Sequence, residues 1–215
     1  MNLISVNVGL PREVVWKGKT VTTGIFKAPV EGRIAVRRHN LDGDGQADLT
    51  VHGGEAKAVY AYPSEHYSYW RPEFPGMDLL WGSFGENLTT QGLLEDEVRI
   101  GDRFRIGSAE LVVTQPRLPC FKLGLRISRA EFVKRFLESR RTGFYFAVLR
   151  EGEMGAGDNV GRIGRDAAGL TVTEILRLHL GDLKDAERLR RAAQLEALPQ
   201  SWRDHFLKLL ASAQS

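Results

Sequence analysis

Cysteine is nearly absent from the sequence: Cys120 is the only one in 215 residues. One thiol cannot form an intrachain disulfide, supply the four thiolates of an iron–sulfur cluster, or provide the usual ligand set of a structural zinc site. The sequence therefore excludes a disulfide scaffold and predicts that the chain holds no iron–sulfur cluster of its own. It also favours a cytoplasmic location.

Signals for a membrane or for nucleic acid are also missing. No apolar run approaches the roughly 18–20 residues that span a bilayer, and the N-terminus lacks the pattern of a signal peptide. The net charge of +3 falls short of a nucleic-acid-binding composition. A basic run at Arg188, Arg190 and Arg191 is more typical of a solvated helix face. We expect no membrane or nucleic-acid partner, and a homodimer stays open.

Several catalytic motifs are absent as well. There is no H-E-x-x-H zinc motif and no G-x-G-x-x-G after a strand, which argues against zinc hydrolysis and a nicotinamide site. A calcium loop starting at Asp42 would need a bidentate Glu where Gly53 stands. None of the five histidines lies in a recognisable nucleophile–base motif; they are His39, His52, His66, His179 and His205.

Up to about residue 170, short β-branched or alternating segments are separated by glycines, which is typical of a barrel or sandwich. Two helices interrupt this region, one capped by Ser64 and one beginning at Ser128 with Glu131 in capping-box spacing. After residue 170 the hydrophobic period becomes 3.6 and three helical segments follow. The sequence predicts a mainly β domain over residues 1–168 and a three-helix subdomain over 169–215.

Two glycine-rich stretches are candidates for ligand binding. The first is His52-Gly53-Gly54, followed by Lys57, where free backbone N–H groups and an ammonium could meet an anion such as phosphate. The second is "GSFGEN", in which Asn87 could both donate to and accept from a heterocycle edge. A plain structural turn explains the first equally well, and a tight loop without a ligand explains the second nearly as well.

Cys120 lies in a constrained setting, "VTQPRLPCFKLGL". Pro116 and Pro119 disfavour regular structure, so the thiol is expected on a rigid loop after the strand "AELVVTQ". Arg117 and Lys122 would favour the reactive thiolate if their side chains turn towards it. A small buried hydrophobic residue is the competing interpretation.

Five stretches in order resemble the MOSC-domain family, of the YiiM type with a three-helix extension. They are "TGIFKAPVEGR", "DGDGQADLTVHGGEAKAVYAYPSEHYSYW", "GSFGENLTTQGL", "VRIGDRFRIGSAELVVTQPRLPCFKL" and the closing helices. The resemblance covers nearly the whole chain, with its core at about residues 20–165.

The resemblance implies a closed β-barrel with covering helices and a molybdenum cofactor (molybdopterin) whose metal is bound by Cys120. It gives the cofactor phosphate candidate partners in the His52-Gly53-Gly54 turn, Lys57, Arg117 and Lys122. It also implies a detoxifying reduction of small N-hydroxylated compounds, such as hydroxylamino-purines, to amines. Because the chain has no cysteines for a cluster, electrons are expected from a separate redox protein.

Two other functions stay open at this point. Cys120 could hold the cofactor, or a persulfide sulfur, for delivery elsewhere without catalysis. Alternatively, the helical extension could act as an adaptor, in which case replacing Cys120 by alanine would leave the function intact.

Overall fold

A computed structural model describes residues 1–47 and 53–212 of the chain. Within these residues the strands are β1 Asn2–Val8, β2 Arg12–Trp16, β3 Lys19–Thr23, β4 Ala28–Pro29, β5 Arg33–Val36, β6 Val59–Pro63, β7 Leu88–Gln91, β8 Arg103–Ile106, β9 Ala109–Pro116, β10 Phe144–Arg150, β11 Gly152–Gly155 and β12 Val160–Gly164. The α-helices are α1 Glu65–Trp70, α2 Phe121–Ile127, α3 Phe132–Glu138, α4 Val172–Leu180, α5 Ala186–Gln194 and α6 Gln200–Ser212.

Eight of the strands form one mixed sheet in the order β12-β8-β9-β10-β6-β7-β1-β4. The β6–β7 pair is parallel and the other pairs are antiparallel. The β8–β9 hairpin turns at Gly107, which has φ 58°, as the glycine pattern of the sequence predicts. Two short two-stranded sheets, β2-β3 and β5-β11, flank the main sheet.

The start of β1 approaches β12 on the other side of the sheet, but the two strands share no continuous ladder of hydrogen bonds. An isolated bridge pairs Asn2 with Asn159, next to β12. Around it, Leu3 N donates to the Asp158 carbonyl at 2.9 Å and Val160 N donates to the Met1 carbonyl at 2.9 Å. The strand pairing of the described residues therefore gives a sheet-dominated fold with several helices. The closed barrel stays a prediction.

The helices near Cys120 differ from the predicted ones. Instead of one helix beginning at Ser128, two short helices meet there, and Ser128 ends α2 in the left-handed region with φ 61°. The predicted cap at Ser128 is therefore wrong. Leu123 and Ile127, both fully buried, form the apolar side of α2. This apolar pattern is too short to predict a helix from the sequence when prolines precede it.

An aromatic cluster holds these helices against the sheet. Trp70 of α1 and Phe132 and Phe136 of α3 pack with Phe84 and with Leu123 of α2. Each fully buried side chain of this size contributes on the order of 1.5–3 kcal/mol relative to its exposed state. The cluster therefore fixes the position of α2, and with it the residue at which α2 begins.

The C-terminal helices form where the 3.6 period predicts them. Helix α4 starts with a capping box, in which Thr171 and Glu174 satisfy each other's backbone N–H groups. Trp202 and Phe206 of α6 pack with Leu189 of α5 in the cluster that also contains the interior of the main sheet. The boundary at residue 168 stays a prediction. No helix among the described residues is both long and apolar enough to cross a membrane.

Candidate functional site

One pocket of the described structure brings together residues from four of the five stretches on which the family resemblance rests; the closing helices contribute no lining residue. Its walls come from the β3–β4 loop, the segment after β5, strands β6 and β10, the loop before β7 and the β9–α2 junction. The lining residues are Thr23, Gly24, Ile25, Lys27, Asp44, Gly45, Gln46, Ala47, Lys57, Tyr60, Gly85, Asn87, Arg117, Cys120, Lys122 and Tyr145. Five of the predicted site residues are among them: Lys57, Asn87, Arg117, Cys120 and Lys122.

Cys120 occupies the N-cap position of α2, with the extended backbone conformation of φ −121° and ψ 175°. Its carbonyl accepts the Leu123 N–H at 2.9 Å, which closes the first turn of the helix. The thiol is half-buried and borders the pocket. Cys120 is therefore the last residue of the Pro-containing loop, and it also caps the N-terminus of α2.

Arg117 lies almost entirely inside the protein, with 5% of its surface exposed. Its guanidinium is 4.9 Å from the Tyr60 ring centroid and 5.5 Å from that of Phe136. The Nη1 atom is buried and has no hydrogen-bond partner among the described residues. A buried cationic donor without an acceptor is costly, which indicates an anionic ligand at this point.

Lys57 ends a short 3₁₀ turn, Glu55–Lys57, that begins after Gly54. Gly54 has φ 90°, a conformation that favours glycine, and its carbonyl accepts the Lys57 N–H at 3.0 Å. Burial lowers the pKa of Lys57 below its ordinary value of 10.5. Gly53 and Gly54 do not line the pocket, so their contribution to the described site is to place Lys57; His52 lies outside the described residues.

Asn87 is engaged within the protein. Its Oδ1 accepts the Tyr60 N–H at 3.1 Å, while its Nδ2 donates to Asp44 at 2.9 Å and to the Asn7 carbonyl at 3.3 Å. The side chain therefore ties the pocket walls together. Recognition of a heterocycle edge by Asn87 stays a prediction.

The loop that carries Asn87 is organised by the buried carboxylate of Glu86. Glu86 accepts the N–H groups of Gly82 at 2.8 Å and Phe84 at 3.1 Å, and the hydroxyl of Thr89 at 3.0 Å. Tyr67 donates a further short hydrogen bond. Burial raises the pKa of Glu86, and these donors oppose that shift. The conspicuous "GSFGEN" pattern thus encodes a rigid wall of the pocket.

Lys27 and Asp44 form a buried ion pair in the same pocket, with side chains 9% and 1% exposed. Asp44 also accepts the Gly9 N–H at 3.0 Å. Burial lowers the pKa of Lys27, although Asp44 and Glu86 act against that shift. The sequence marks the acidic segment from Asp42 only as a rejected calcium loop. Neither Asp44 nor Lys27, which stands in the "TGIFKAPVEGR" stretch, is predicted as a site residue.

Two tyrosines complete the pocket, and neither is marked by the sequence. Tyr60 of β6 and Tyr145 of β10 are opposite each other in the sheet, with ring centroids 5.3 Å apart. The Tyr60 hydroxyl donates to the Thr142 carbonyl at 2.7 Å. Burial raises the pKa of both phenols, and Arg117 opposes the shift. In a strand, such residues look like ordinary sheet aromatics.

The donor set fits a molybdenum cofactor better than a metal held by protein side chains. Among the described residues, no three His, Cys, Asp or Glu side chains are grouped to hold a metal ion. The pocket instead offers one thiol, the unsatisfied Nη1 of Arg117, and the ammonium groups of Lys57 and Lys122. These groups suit a metal that brings its own sulfur ligands together with a phosphate.

Comparison with known protein families gives two matches. A MOSC domain matches residues 48–161, and a YiiM-like, 3-alpha helix domain matches residues 170–213. The first covers the pocket residues from Lys57 to Tyr145, and the second covers α4, α5 and α6.

Individual relatives agree with these matches. The chain is 42% identical to YflK of Bacillus subtilis over 96% of its length and 93% of that protein. It is 34% identical to YiiM of Escherichia coli, over 84% of this chain and 81% of YiiM. A Gibberella moniliformis protein named reductase is 33% identical over 75% of this chain, which spans 29% of that longer protein.

A solved structure shows the same architecture. The crystal structure of YiiM from Geobacillus stearothermophilus superposes with a TM-score of 0.80 at 34% identity, covering 97% of this chain and 98% of that one.

Proposed function

The chain belongs to the MOSC-domain family, of the type with a YiiM-like three-helix domain, and from this premise we propose that it is a molybdenum-cofactor-dependent reductase of N-hydroxylated compounds. MOSC domains are associated with molybdenum-cofactor binding in general. The relative named reductase supports a redox reaction rather than storage. A detoxifying role is part of the proposal.

One observation carries the proposal: the buried Arg117 Nη1 without an acceptor borders the same pocket as the chain's only thiol. A cofactor with both a thiophilic metal and a phosphate would engage Cys120 and Arg117 together. Neither a persulfide carrier nor an adaptor would need the unsatisfied Arg117 Nη1.

The residues divide into three tasks. Cys120 would hold the metal, and Arg117, Lys57 and Lys122 would bind the phosphate. Tyr60 and Tyr145, whose tilted rings contact each other on neighbouring strands, would exclude water from the reacting nitrogen. The Lys27–Asp44 pair and Asn87 would hold the pocket walls together.

When bound, the cofactor supplies a two-electron redox centre. The overall reaction breaks the N–O bond of R–NHOH, consumes two electrons and two protons, and yields R–NH₂ and water. One proton ends on the amine nitrogen and the other on the departing oxygen. Lys27 and Lys57 are the ammonium groups of the pocket whose pKa is lowered by burial, so they release protons more readily than surface lysines.

The proposal is tested with protein purified from a host that makes the cofactor. Reduction of a hydroxylamino-purine is measured with reduced methyl viologen as electron source. Wild-type protein is expected to turn over, and Cys120→Ala protein is expected to lose turnover. Wild-type protein that holds molybdenum yet reduces no N-hydroxylated compound would contradict the proposal and favour a carrier. A mass increase of one sulfur on Cys120 would favour the persulfide carrier.

A further inference from the structure

Two large apolar side chains flank the site thiol at the protein surface. Leu118 is 40% exposed and Phe121 is 53% exposed, on either side of Pro119 and Cys120. The opposite face of α2 is fully buried through Leu123 and Ile127. The exposure of Phe121 is therefore a property of a firmly packed helix, and exposed apolar side chains beside a site are typical of interaction surfaces.

Cations line the same surface. Lys122 and Arg126 are one turn apart on α2, so they share a helix face. Arg126 and the exposed Arg12 both contact Phe26, with guanidinium carbons 5.4 Å and 3.9 Å from its ring centroid. Burial lowers the pKa of Arg126, and the neighbouring charge of Arg12 acts in the same direction, whereas Tyr67 and Glu86 oppose the shift.

Several exposed arginines of the described residues are paired with a carboxylate, and these three cations are not. Arg33, Arg37 and Arg105 each pair with an Asp or Glu. Arg12, Lys122 and Arg126 form no ion pair within residues 1–47 and 53–212. Among the described residues, Arg12 and Arg126 therefore have no direct ion-pair partner beside the pocket, and their charge can attract an acidic partner.

We propose that this mouth face, made of Arg12, Leu118, Phe121, Lys122 and Arg126, docks an acidic electron-carrier protein that reduces the site beside Cys120. The inference rests on the proposed function, because that reaction consumes two electrons and the chain has no cysteines for a cluster of its own. The carrier, a flavin or iron–sulfur protein, is oxidised as it delivers the electrons, and a one-electron carrier such as a [2Fe–2S] protein docks twice for each turnover. The N–O bond of the substrate is broken, R–NH₂ and water are formed, and the two protons come ultimately from solvent.

The composition of the face suits such a partner. Its apolar side chains give contact area, whereas its cations steer a protein of opposite charge and set its orientation. Phe121 follows Cys120 directly in the chain, so a carrier seated on Phe121 lies against the residue that would hold the metal. Electrons from such a carrier would reach the site past the N-terminus of α2.

The test compares two electron sources on the same cofactor-loaded protein. An acidic flavodoxin and an acidic [2Fe–2S] ferredoxin, each kept reduced by its own reductase, serve as protein donors, and reduced methyl viologen serves as a chemical donor. The variants are Arg12→Glu/Arg126→Glu and Phe121→Ser, with Arg190→Glu on α5 as a matched control because Arg190 is exposed and far along the chain from the face.

At least one protein donor is expected to support wild-type turnover with a kcat/KM that falls as salt rises. The double charge reversal should lower that kcat/KM by about tenfold or more, since steering contributes roughly 10–10³ in rate. Turnover with viologen should stay within about twofold of wild type for Phe121→Ser and the double variant, and Arg190→Glu should match wild type throughout.

Equal loss with both kinds of donor, or no loss with either, would overturn the docking surface. Binding of each carrier, measured by calorimetry at low and high salt, separates this inference from the proposed function. If neither wild type nor any variant turns over with viologen, the proposed function fails. Independently of that result, unchanged carrier binding by the double charge-reversal variant would overturn the proposed docking surface. Salt-sensitive binding of a single-stranded oligonucleotide in place of either carrier would also overturn it.

Discussion

The side-chain amide of Asn87 donates a 2.9 Å hydrogen bond to the carboxylate of Asp44, which lies 43 residues earlier in the chain. Asp44 in turn forms the buried ion pair with Lys27. Three segments that are distant in sequence thus meet in one polar network at the pocket. The network is shielded from water, so each of its groups depends on the others for hydrogen bonding.

Replacing Asn87 should therefore destabilise the protein. Asn87→Ala leaves the Tyr60 N–H and one Asp44 oxygen without their partner, and each buried group left unsatisfied costs about 1–3 kcal/mol. Asn87→Asp should cost more, because it places a second carboxylate against Asp44. Urea unfolding of both variants, with the exposed Asn159→Ala as control, measures the effect. Wild-type stability in Asn87→Ala would contradict this description of the network.

Arg117→Met should separate folding from ligand binding. The variant removes a buried guanidinium whose Nη1 is unsatisfied. The melting temperature of the free variant should therefore lie within a few degrees of the wild-type value, or above it. Inorganic pyrophosphate should raise the melting temperature of wild type and fail to raise that of Arg117→Met. A charged hydrogen bond of about 2 kcal/mol corresponds to a roughly 30-fold weaker affinity. Equal stabilisation of both proteins by pyrophosphate would contradict an anion site at Arg117; Arg190→Met is the control.

Lys57 should make anion binding depend on pH, at pH values lower than those at which an ordinary lysine loses its proton. The protonated ammonium attracts the anion, and burial lowers its pKa from 10.5, so affinity should start to fall at a lower pH than a surface lysine would give. In Lys57→Arg the guanidinium stays charged, and that decline should disappear.

Calorimetric titration with pyrophosphate from about pH 7 to 10 measures both profiles. Lys27 titrates in the same pocket and is unchanged in the variant, so the difference between the profiles reports Lys57 alone. Lys184→Arg, at an exposed position, is the control. Superimposable profiles for wild type and Lys57→Arg would contradict the prediction.

The sequence predicts the β-rich domain and the three C-terminal helices because their periodicities, 2 and 3.6, are local properties. It misplaces the helix start at Ser128 because a local capping pattern competes with the packing of Leu123 and Ile127, which appears only in the folded chain. Glycine turns of the β8–β9 hairpin are likewise local, whereas the approach of residues 1–3 to residues 157–160 depends on the whole sheet.

The candidate site divides in the same way. Cys120, Arg117 and Lys122 stand out because they are close together in an unusual Pro-flanked stretch. Lys27, Asp44, Tyr60 and Tyr145 do not, because their relevance arises from long-range contacts that no spacing rule expresses. Asn87 is a candidate because its side chain can both donate and accept hydrogen bonds, and its partners in the fold are the protein's own backbone and Asp44.

The most direct test of the account is the molybdenum content of the chain purified from a cofactor-producing host, measured by elemental analysis for wild type and Cys120→Ala. Both proteins should show the same cooperative unfolding, because Cys120 is half-buried and lies outside both apolar core clusters. The account predicts about one molybdenum per wild-type chain and a loss of most of it in Cys120→Ala. Equal molybdenum in the two proteins, or none in wild type, would contradict it.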